Sequence, residues 1–170
     1  MGKGLQVDKT GIHIAFTGGT GSLLFLDLVA HLVKKNLKML NHEEDKMLDS
    51  HSFKFIFFMS FQSRDESCGL ELCEGLRDIC KQYSLDNFEL YVRLSNLKQD
   101  PRWDYDFINQ TLEKHQKSGY AKADDLSETN WSPIRKIWVC GPPAMNEMFD
   151  RSLEVLGPKY RISRHSIDVL

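Results

Sequence analysis

A glycine-rich turn near the start of the chain has the residue types that hold a phosphate group. It lies between two apolar runs and consists of Thr17, Gly18, Gly19, Thr20 and Gly21. Between a strand and a helix, glycines let backbone N–H groups approach a phosphate, and the helix N-terminus favours its negative charge. The two threonine hydroxyls would add donors to a pyrophosphate. The full G-x-G-x-x-G pattern is absent, so a tight turn without a ligand is an equal alternative.

A second turn with chemical potential lies near the C-terminus, where Cys140 and Gly141 precede Pro142 and Pro143. As a nucleophile, Cys140 would need a base, and the sequence assigns no histidine to its vicinity. The two prolines fix the turn and remove two backbone N–H groups. A stiff turn that presents one soft side chain suits the positioning of a flat ring better than covalent catalysis. The alternative is that Cys140 is only a small apolar residue at a strand end.

The rest of the sequence carries no other recognisable catalytic pattern. No Ser-His-Asp arrangement, metal motif or pair of carboxylates at a useful spacing stands out. The four cysteines do not have the spacing of a zinc site, and no metal ligands are predicted. Because no secretory signal is present, the cysteines are expected to be reduced thiols in the cytoplasm. Any redox chemistry must then come from a cofactor.

The bulk composition limits the partners of the chain. Its 170 residues correspond to one domain, and a hydrophobic fraction of 41% is enough for a sizeable core. The formal net charge of −2 lacks the basic excess typical of nucleic-acid binding. No apolar stretch reaches the roughly 18 residues that span a bilayer, so no direct membrane segment is expected.

Strand-like and helical patterns alternate along the chain and would position the two turns. Strands are predicted at 11–17, 53–61, 88–94, 135–140 and 160–170, and helices at 22–35, 70–83, 105–117 and 144–156. Ser22 or Thr20 is the expected cap of the first helix, and Gly157-Pro158 is the expected stop signal of the last. The polar segments 41–52 and 118–133 are expected to be loops.

This alternation predicts an α/β fold of three layers, in which a five-stranded, mostly parallel sheet has helices on both faces. In such sheets, ligands bind outside the carboxyl ends of the strands, where the strand order reverses. Both turns follow predicted strands, so the sequence places them on the same edge of the sheet.

Three segments together resemble the NAD(P)-binding domain of the ferredoxin–NADP reductase superfamily, and are most similar to cytochrome b5 reductase and related flavoprotein reductases. They are Thr17 to Leu28, Asp100 to Asn109 and Val139 to Met145. The middle segment, DPRWDYDFIN, is similar to a Trp-Asp-Tyr…Phe-Val-Asn stretch of these enzymes. The resemblance implies a ferredoxin reductase-like C-terminal NAD(P)-binding domain at 11–170, with residues 1–10 as the junction to a flavin-binding domain.

The resemblance also implies a role for each site residue. The first turn, with Gly19, Thr20 and Gly21, would hold the pyrophosphate of NAD(P)H. The second turn would border the nicotinamide through Cys140, which is the expected catalytic residue in this sense, and through Gly141, Pro142, Pro143 and Met145. The adenosine ribose would be held by residues after the second and third strands, namely Phe61, Gln62, Ser63, Arg64, Ser95 and Asn96.

Two departures from the family pattern affect these expectations. NADH-preferring reductases often carry an acidic residue after the third strand and NADPH-preferring relatives carry Ser and Arg, whereas this chain has Ser95-Asn96. Arg64 or Arg93 is a candidate substitute for the arginine, and the balance leans slightly to NADH. The chain ends in Val169-Leu170, without the aromatic residue that shields the flavin in many members.

The resemblance predicts a pyridine-nucleotide domain that presents NAD(P)H to FAD held on a separate domain of the same parent protein. Electrons would then pass to a one-electron acceptor, such as a haem protein or a metal centre. The isolated chain is expected to bind nucleotide and to transfer nothing. Two alternatives are the cytosolic nucleotide domain of a transmembrane ferric reductase or NADPH oxidase, and a non-catalytic module that contacts other proteins.

Overall fold

Strands and helices alternate along the part of the chain that the computed structural model describes, which is Leu5 and residues 7–40, 53–97, 102–120 and 133–170. The strands are β1 Gly11–Gly18, β2 Phe53–Phe61, β3 Phe88–Leu94, β4 Ile134–Cys140 and β5 Ile167–Val169. The α-helices are α1 Leu26–Leu40, α2 Leu70–Gln82, α3 Tyr105–Tyr120 and α4 Pro143–Lys159. Short 3₁₀ helices cover Gly19–Phe25, Arg64–Glu66 and Arg164–Ser166. The predicted loop at 41–52, most of the loop at 118–133 and much of the predicted junction lie outside the described residues.

The strands form one sheet in the order β3-β2-β1-β4-β5, and all four pairings are parallel. This confirms the predicted α/β class, and the sheet is more regular than the mostly parallel one expected. From β1 the chain winds outward through β2 to β3 and then returns to the other side of β1 with β4. The strand order therefore reverses between β1 and β4, where Thr17 lies opposite Cys140.

Burial on both faces explains the composition of the central strands. β2 is apolar almost throughout, because each face of a parallel sheet is covered by helices. On one face, α1 and α2 pack on a cluster that includes Phe25, Phe55, Phe57 and Trp138. On the other face, α3 and α4 pack on a second cluster around Phe16, whose ring centroid lies 4.7 Å from that of Phe58.

Several boundaries differ from the sequence prediction, and α1 continues to Leu40, five residues beyond the predicted end of the first helix. The first helix begins as a 3₁₀ segment at Gly19 without a side-chain cap, so neither Ser22 nor Thr20 caps it. α3 continues through Tyr120, three residues into the predicted loop. α4 runs through Gly157-Pro158 to Lys159. The last strand is confined to β5, because the 3₁₀ turn Arg164–Ser166 precedes it.

Candidate functional site

The two turns predicted to do chemistry meet at the point where the strand order reverses. A Cβ atom on Gly141 would lie 3.3 Å from the backbone nitrogen of Gly18 and 2.6 Å from Sδ of Met145. A Cβ atom on Gly18 would lie 2.8 Å from Cδ of Pro142. Both positions thus need glycine because the two turns are packed directly against each other.

Gly21 makes the closest approach between the two turns. A Cβ atom at this position would overlap the carbonyl oxygen of Cys140 and would lie 3.0 Å from its Sγ atom. The 3₁₀ segment after β1 therefore rests on the end of β4. The helix N-terminus expected at this turn belongs to the 3₁₀ helix Gly19–Phe25, and the α-helix α1 begins only at Leu26.

Gly19 differs from its neighbours because it has room around it. Its φ angle is +57°, in the left-handed region that favours glycine, and a Cβ atom there would meet nothing within 4 Å. Gly19 is exposed and faces a crevice at the carboxyl edge of the sheet. The first turn thus combines glycines required for packing with one that leaves the backbone accessible to a ligand.

The crevice has a volume of about 710 Å³, within the usual range of small-molecule sites. It crosses the carboxyl ends of β1, β2 and β3 on the α3 and α4 side. Its polar lining consists of Ser60, Gln62, Glu66, Arg93, Ser95 and Arg102. Its apolar lining consists of Phe61, Trp103, Pro142, Ala144, Met145 and Met148. Gly18 and Gly19 complete it at the centre of the sheet.

Several residues predicted from the sequence to bind the cofactor line this crevice. They are Gly18, Gly19, Phe61, Gln62, Ser95, Pro142 and Met145. Others belong to the turns that border the crevice without being part of its lining, namely Thr20, Gly21, Ser63, Asn96, Gly141 and Pro143. The backbone N–H groups of Ser95 and Asn96 donate to the carbonyls of Phe61 and Gln62, over 2.8 and 3.1 Å. These bonds join the loops after β2 and β3 into one wall.

Thr17 does not present its hydroxyl to this crevice. The residue is fully buried, and its Oγ1 donates to the carbonyl oxygen of Phe58 over 3.1 Å. The prediction that this hydroxyl would add a donor to a pyrophosphate is therefore corrected. In β1 the side chain of Thr17 satisfies a backbone group inside the sheet.

Arg64 is also directed elsewhere. It lies in the 3₁₀ turn after β2 and forms a two-pronged ion pair with Glu74 of α2, over 2.7 and 3.2 Å. Its hydrogen bonds with Glu74 raise the pKa of the Arg64 guanidinium. Arg64 belongs to the α2 side of this turn, whereas Arg93 lines the crevice.

Cys140 lies at the end of β4, half-buried beside Gly21, on the face of the sheet that carries α1 and α2. Burial raises the pKa of its thiol. A nucleophilic cysteine is instead activated by a lowered pKa. This environment supports the interpretation of Cys140 as a positioning group and argues against covalent catalysis.

Sequence reasoning gave no site role to six residues of the crevice lining, namely Ser60, Glu66, Arg102, Trp103, Ala144 and Met148. Arg102 immediately precedes Trp103, whose ring packs against Phe16 and Phe58 at centroid distances of 6.0 and 6.2 Å. Met148 follows Met145 on the same face of α4. Helical spacing from Met145 was the signal for Met148, whereas no pattern in the sequence indicated which way Arg102 would face.

A second cavity lies on the other face of the sheet, and it is here called the β4–β5 groove. Its volume is about 850 Å³. Lys136, Trp138 and Asp168 form its floor, and Lys136 Nζ lies 2.9 Å from Asp168 Oδ2. Its apolar rim consists of Leu5, Val7, Leu24, Leu28 and Leu170. The crevice and the β4–β5 groove thus flank the two turns from opposite faces.

Among the described residues, no group of three or more His, Cys, Asp or Glu side chains is arranged to hold a metal ion. None of the helices described is long and apolar enough to cross a membrane.

Comparison with known proteins identifies the fold but not a close relative. No family model and no curated protein match the sequence. Flavohemoglobin from Malassezia yamatoensis, solved with bound FAD and heme, is 15% identical with a TM-score of 0.57 over 98% of this chain. The cytochrome b5 reductase domain of Ulva prolifera nitrate reductase is 14% identical, with a TM-score of 0.53 over 95% of this chain.

A mutant ferredoxin–NADP⁺ reductase from Plasmodium falciparum, in complex with 2′P-AMP, is 11% identical, with a TM-score of 0.52 over 94% of this chain. This chain spans 33% of the flavohemoglobin chain, 49% of the nitrate reductase domain and 52% of the ferredoxin–NADP⁺ reductase. These likenesses show that the described residues have the α/β fold that the resemblance to the ferredoxin–NADP reductase superfamily implied.

Proposed function

We propose that this chain is the pyridine-nucleotide domain of a flavoprotein reductase, which binds NAD(P)H and presents it to FAD held on a separate domain. The observation that carries this proposal is the contact of the two turns between β1 and β4, beside an open crevice of about 710 Å³. Ligands of open parallel sheets bind where the strand order reverses. A crevice blocked by side chains would have favoured the second alternative, a non-catalytic module that contacts other proteins.

The pyrophosphate would lie over the first turn. Gly19 is exposed with open space above it, so its backbone can come close to a charged oxygen without a side chain between them. The second turn is unsuited to a phosphate, because Pro142 and Pro143 have no N–H group and Met145 N–H already donates to the Pro142 carbonyl over 2.9 Å. The polar part of the dinucleotide therefore belongs to the first turn.

The nicotinamide would extend from the first turn past Cys140. When bound, NAD(P)H supplies a hydride, which FAD accepts while the nucleotide is oxidised to NAD(P)⁺. The chain itself would hold the nicotinamide in place. Met145 packs on Gly18 and Gly141, and the prolines fix the backbone beside the Cys140 thiol. The raised pKa of Cys140 keeps this group uncharged next to a ring that becomes positive only after transfer.

The β4–β5 groove is the face on which the FAD domain would lie. It adjoins Cys140 through Trp138, and its rim includes Leu5 and Val7, which precede the sheet. We further infer that the parent protein passes electrons to a one-electron acceptor in the cytoplasm. The flavohemoglobin with the same fold carries FAD and heme in one structure, which supports an acceptor of this kind.

A titration of the chain with nucleotides tests the proposal. Calorimetry with NADH, NADPH, 5′-ADP and 2′,5′-ADP is expected to show binding of at least one of them in the millimolar range or tighter. Ala144→Glu should weaken binding about tenfold or more, because it places a carboxylate in the crevice near the phosphates. Ala30→Glu is the matched control, since Ala30 is exposed on α1 and lines neither cavity.

Failure of all four ligands to bind a folded chain at millimolar concentration would refute the proposal. Equal weakening by Ala144→Glu and Ala30→Glu would show that binding occurs elsewhere.

A further inference from the structure

We propose that the β3 end of the crevice selects nucleotides with a ribose 2′-phosphate, through Arg93 and Arg102, and that the domain therefore prefers NADPH to NADH. This inference rests on the proposed function, because it assumes that a dinucleotide occupies the crevice. It assigns selectivity to β3 itself and to the segment before α3, not to the Ser95-Asn96 loop.

The direction of the dinucleotide places its adenosine at this end. If the nicotinamide borders Cys140 of β4, the adenosine must extend the opposite way from the first turn, across β2 towards β3. Adjacent strands are about 4.8 Å apart, so β3 lies roughly 10 Å from β1. This distance is within the reach of an adenosine that extends from a pyrophosphate at Gly19.

Arg93 is held at this end by the sheet. It lies opposite Ser60 in the β2–β3 register, and its Nη1 donates to Ser60 Oγ over 3.2 Å. Both residues are half-buried and line the crevice on the same face of the sheet. A guanidinium positioned on a rigid strand is a suitable donor for a phosphate, because its planar N–H groups match two phosphate oxygens.

Arg102 approaches the same space from the start of α3. The adjacent Trp103 packs on the core, with its ring centroid 5.9 Å from that of Phe107. Asp104 Oδ1 accepts a hydrogen bond of 3.0 Å from the backbone N–H of Phe107 at the beginning of α3. These two anchors fix the backbone of the exposed Arg102, whose side chain lines the crevice.

The charges around the crevice favour a dianion over a hydroxyl. A phosphate monoester carries a charge of about −1.5 to −2 at neutral pH. Among the described residues, the charged ones that line the crevice are Arg93, Arg102 and Glu66, so their positive charge exceeds the negative. Phe61 and Trp103 provide apolar surface nearby, which strengthens an ion pair by excluding water. Glu66 is the group that would favour an unphosphorylated ribose, and its contribution is tested separately.

The experiment compares two fragments that differ only in the 2′-phosphate. The chain is expected to bind 2′,5′-ADP about ten- to a hundredfold more tightly than 5′-ADP, as charge-assisted hydrogen bonds imply. Arg93→Gln and Arg102→Gln should each reduce this ratio, and the double variant should bring it near one while affinity for 5′-ADP is retained. Arg64→Gln is the matched control, because Arg64 pairs with Glu74 and does not line the crevice.

The outcomes separate this inference from the proposed function. Binding of 5′-ADP with equal or weaker binding of 2′,5′-ADP would overturn the preference for NADPH and leave the nucleotide site in place. If the parent chain binds 5′-ADP at least as tightly as 2′,5′-ADP and Glu66→Gln loses this 5′-ADP affinity, ribose recognition belongs to Glu66 and the preference for NADPH is overturned. If Arg64→Gln lowers the 2′,5′-ADP to 5′-ADP affinity ratio as much as Arg93→Gln and Arg102→Gln do, the preference comes from the overall charge of the chain, and the role of the two arginines is overturned. Binding of neither fragment would refute the proposed function itself.

Discussion

At the scale of single residues, the candidate site depends on positions where a side chain has no room. Gly18, Gly21 and Gly141 let the two turns come into contact. A Cβ atom at Gly18 or Gly21 would meet atoms of the facing turn at less than 3.0 Å, and one at Gly141 would lie 3.3 Å from the backbone nitrogen of Gly18. Gly19 has the opposite property, because it needs its left-handed φ angle but has open space around it. The same residue type thus serves packing in the first three cases and access in the last.

Gly21→Ala is expected to destabilise the chain by about 1–3 kcal/mol, the usual cost of overpacking, because the new methyl group would displace the carbonyl of Cys140. It should also abolish nucleotide binding by moving the two turns apart. Gly75→Ala is the matched control, since Gly75 is exposed within α2 with nothing within 4 Å of its Cβ position. That change should stabilise the chain by about 0.5–1 kcal/mol. Urea unfolding followed by circular dichroism measures both, and similar free energies of unfolding would contradict the contact.

How much of the site the sequence could predict depends on the kind of residue. The glycines and the Cys140 turn were predictable, because their types impose backbone conformations wherever they occur. Arg93 and Ser60 were partly predictable, since alternation in β2 and β3 assigns each to a face of its strand. Arg102 was not predictable, because its direction is set by the packing of Trp103 against residues distant in the chain.

At the scale of elements, the 3₁₀ helix Gly19–Phe25 joins the site to the rest of the fold. Ser22 is buried, and its Oγ donates to the carbonyl of Gly19 over 3.0 Å and to that of Cys68 over 3.3 Å. The hydroxyl therefore ties the turn after β1 to the segment that precedes α2. Sequence periodicity could not distinguish this 3₁₀ start from an α-helix, because the apolar residues after Ser22 satisfy both.

Ser22→Ala should lower the free energy of unfolding by about 1–2 kcal/mol, because the buried hydroxyl that bonds to the carbonyls of Gly19 and Cys68 is lost. Thr20→Ala in the same 3₁₀ helix should change it by less than about 0.5 kcal/mol, since Thr20 is exposed. Chemical unfolding at neutral pH compares the two variants. Equal stability of Ser22→Ala and the parent chain would show that this hydroxyl does not hold the turn.

The end of α4 shows why a stop signal can be misread. Gly157 is buried, and a Cβ atom there would lie 3.3 Å from the carbonyl oxygen of Ile162 and 3.5 Å from Cδ1 of Ile167. This glycine lets the returning chain pass close to the helix. The helix ends only before Arg161, whose φ angle is +57°. By contrast, the bounds of β2 and β3 were predicted correctly. For β2 the reason is that a strand buried on both faces has a continuous apolar pattern.

At the scale of the whole molecule, two buried histidines connect separate layers of the fold. His13 of β1 lies 4.7 Å from the ring centroid of Phe53 and 5.8 Å from that of Trp138, and its Nε2 accepts a 3.2 Å hydrogen bond from the backbone N–H of Asp8. It thus attaches the segment that leads to the β4–β5 groove. His115 of α3 is buried on the opposite face of the sheet.

Both histidines are held neutral in the fold. Burial lowers the pKa of His13 from 6.5 to about 4. The positive charges of Arg135 and Lys136 also lower this pKa, whereas the hydrogen bond to the Gly11 carbonyl and the charge of Asp8 raise it. Burial likewise lowers the pKa of His115 to about 4, where Glu89 opposes the shift and Lys114 and Lys54 add to it. Neutral His13 keeps Nε2 as an acceptor, and protonation would remove the bond to Asp8.

The free energy of unfolding is therefore expected to decrease as the pH is lowered from 6.5 to 4. Above pH 6.5 it should depend little on the protonation of these histidines. Between pH 6.5 and 4 the unfolded chain binds protons that the folded chain excludes, so the free energy of unfolding decreases by up to roughly 3 kcal/mol for each histidine. His13→Phe and His115→Phe should each reduce the pH dependence of the free energy of unfolding, measured by urea unfolding at pH 7.5, 5.5 and 4.5.

Because the two sites lie on opposite faces of the sheet, the double variant should combine both effects additively. A slope unchanged in the double variant would place the acid sensitivity in other groups, and a slope flattened only by His13→Phe would confine it to the segment that borders the β4–β5 groove.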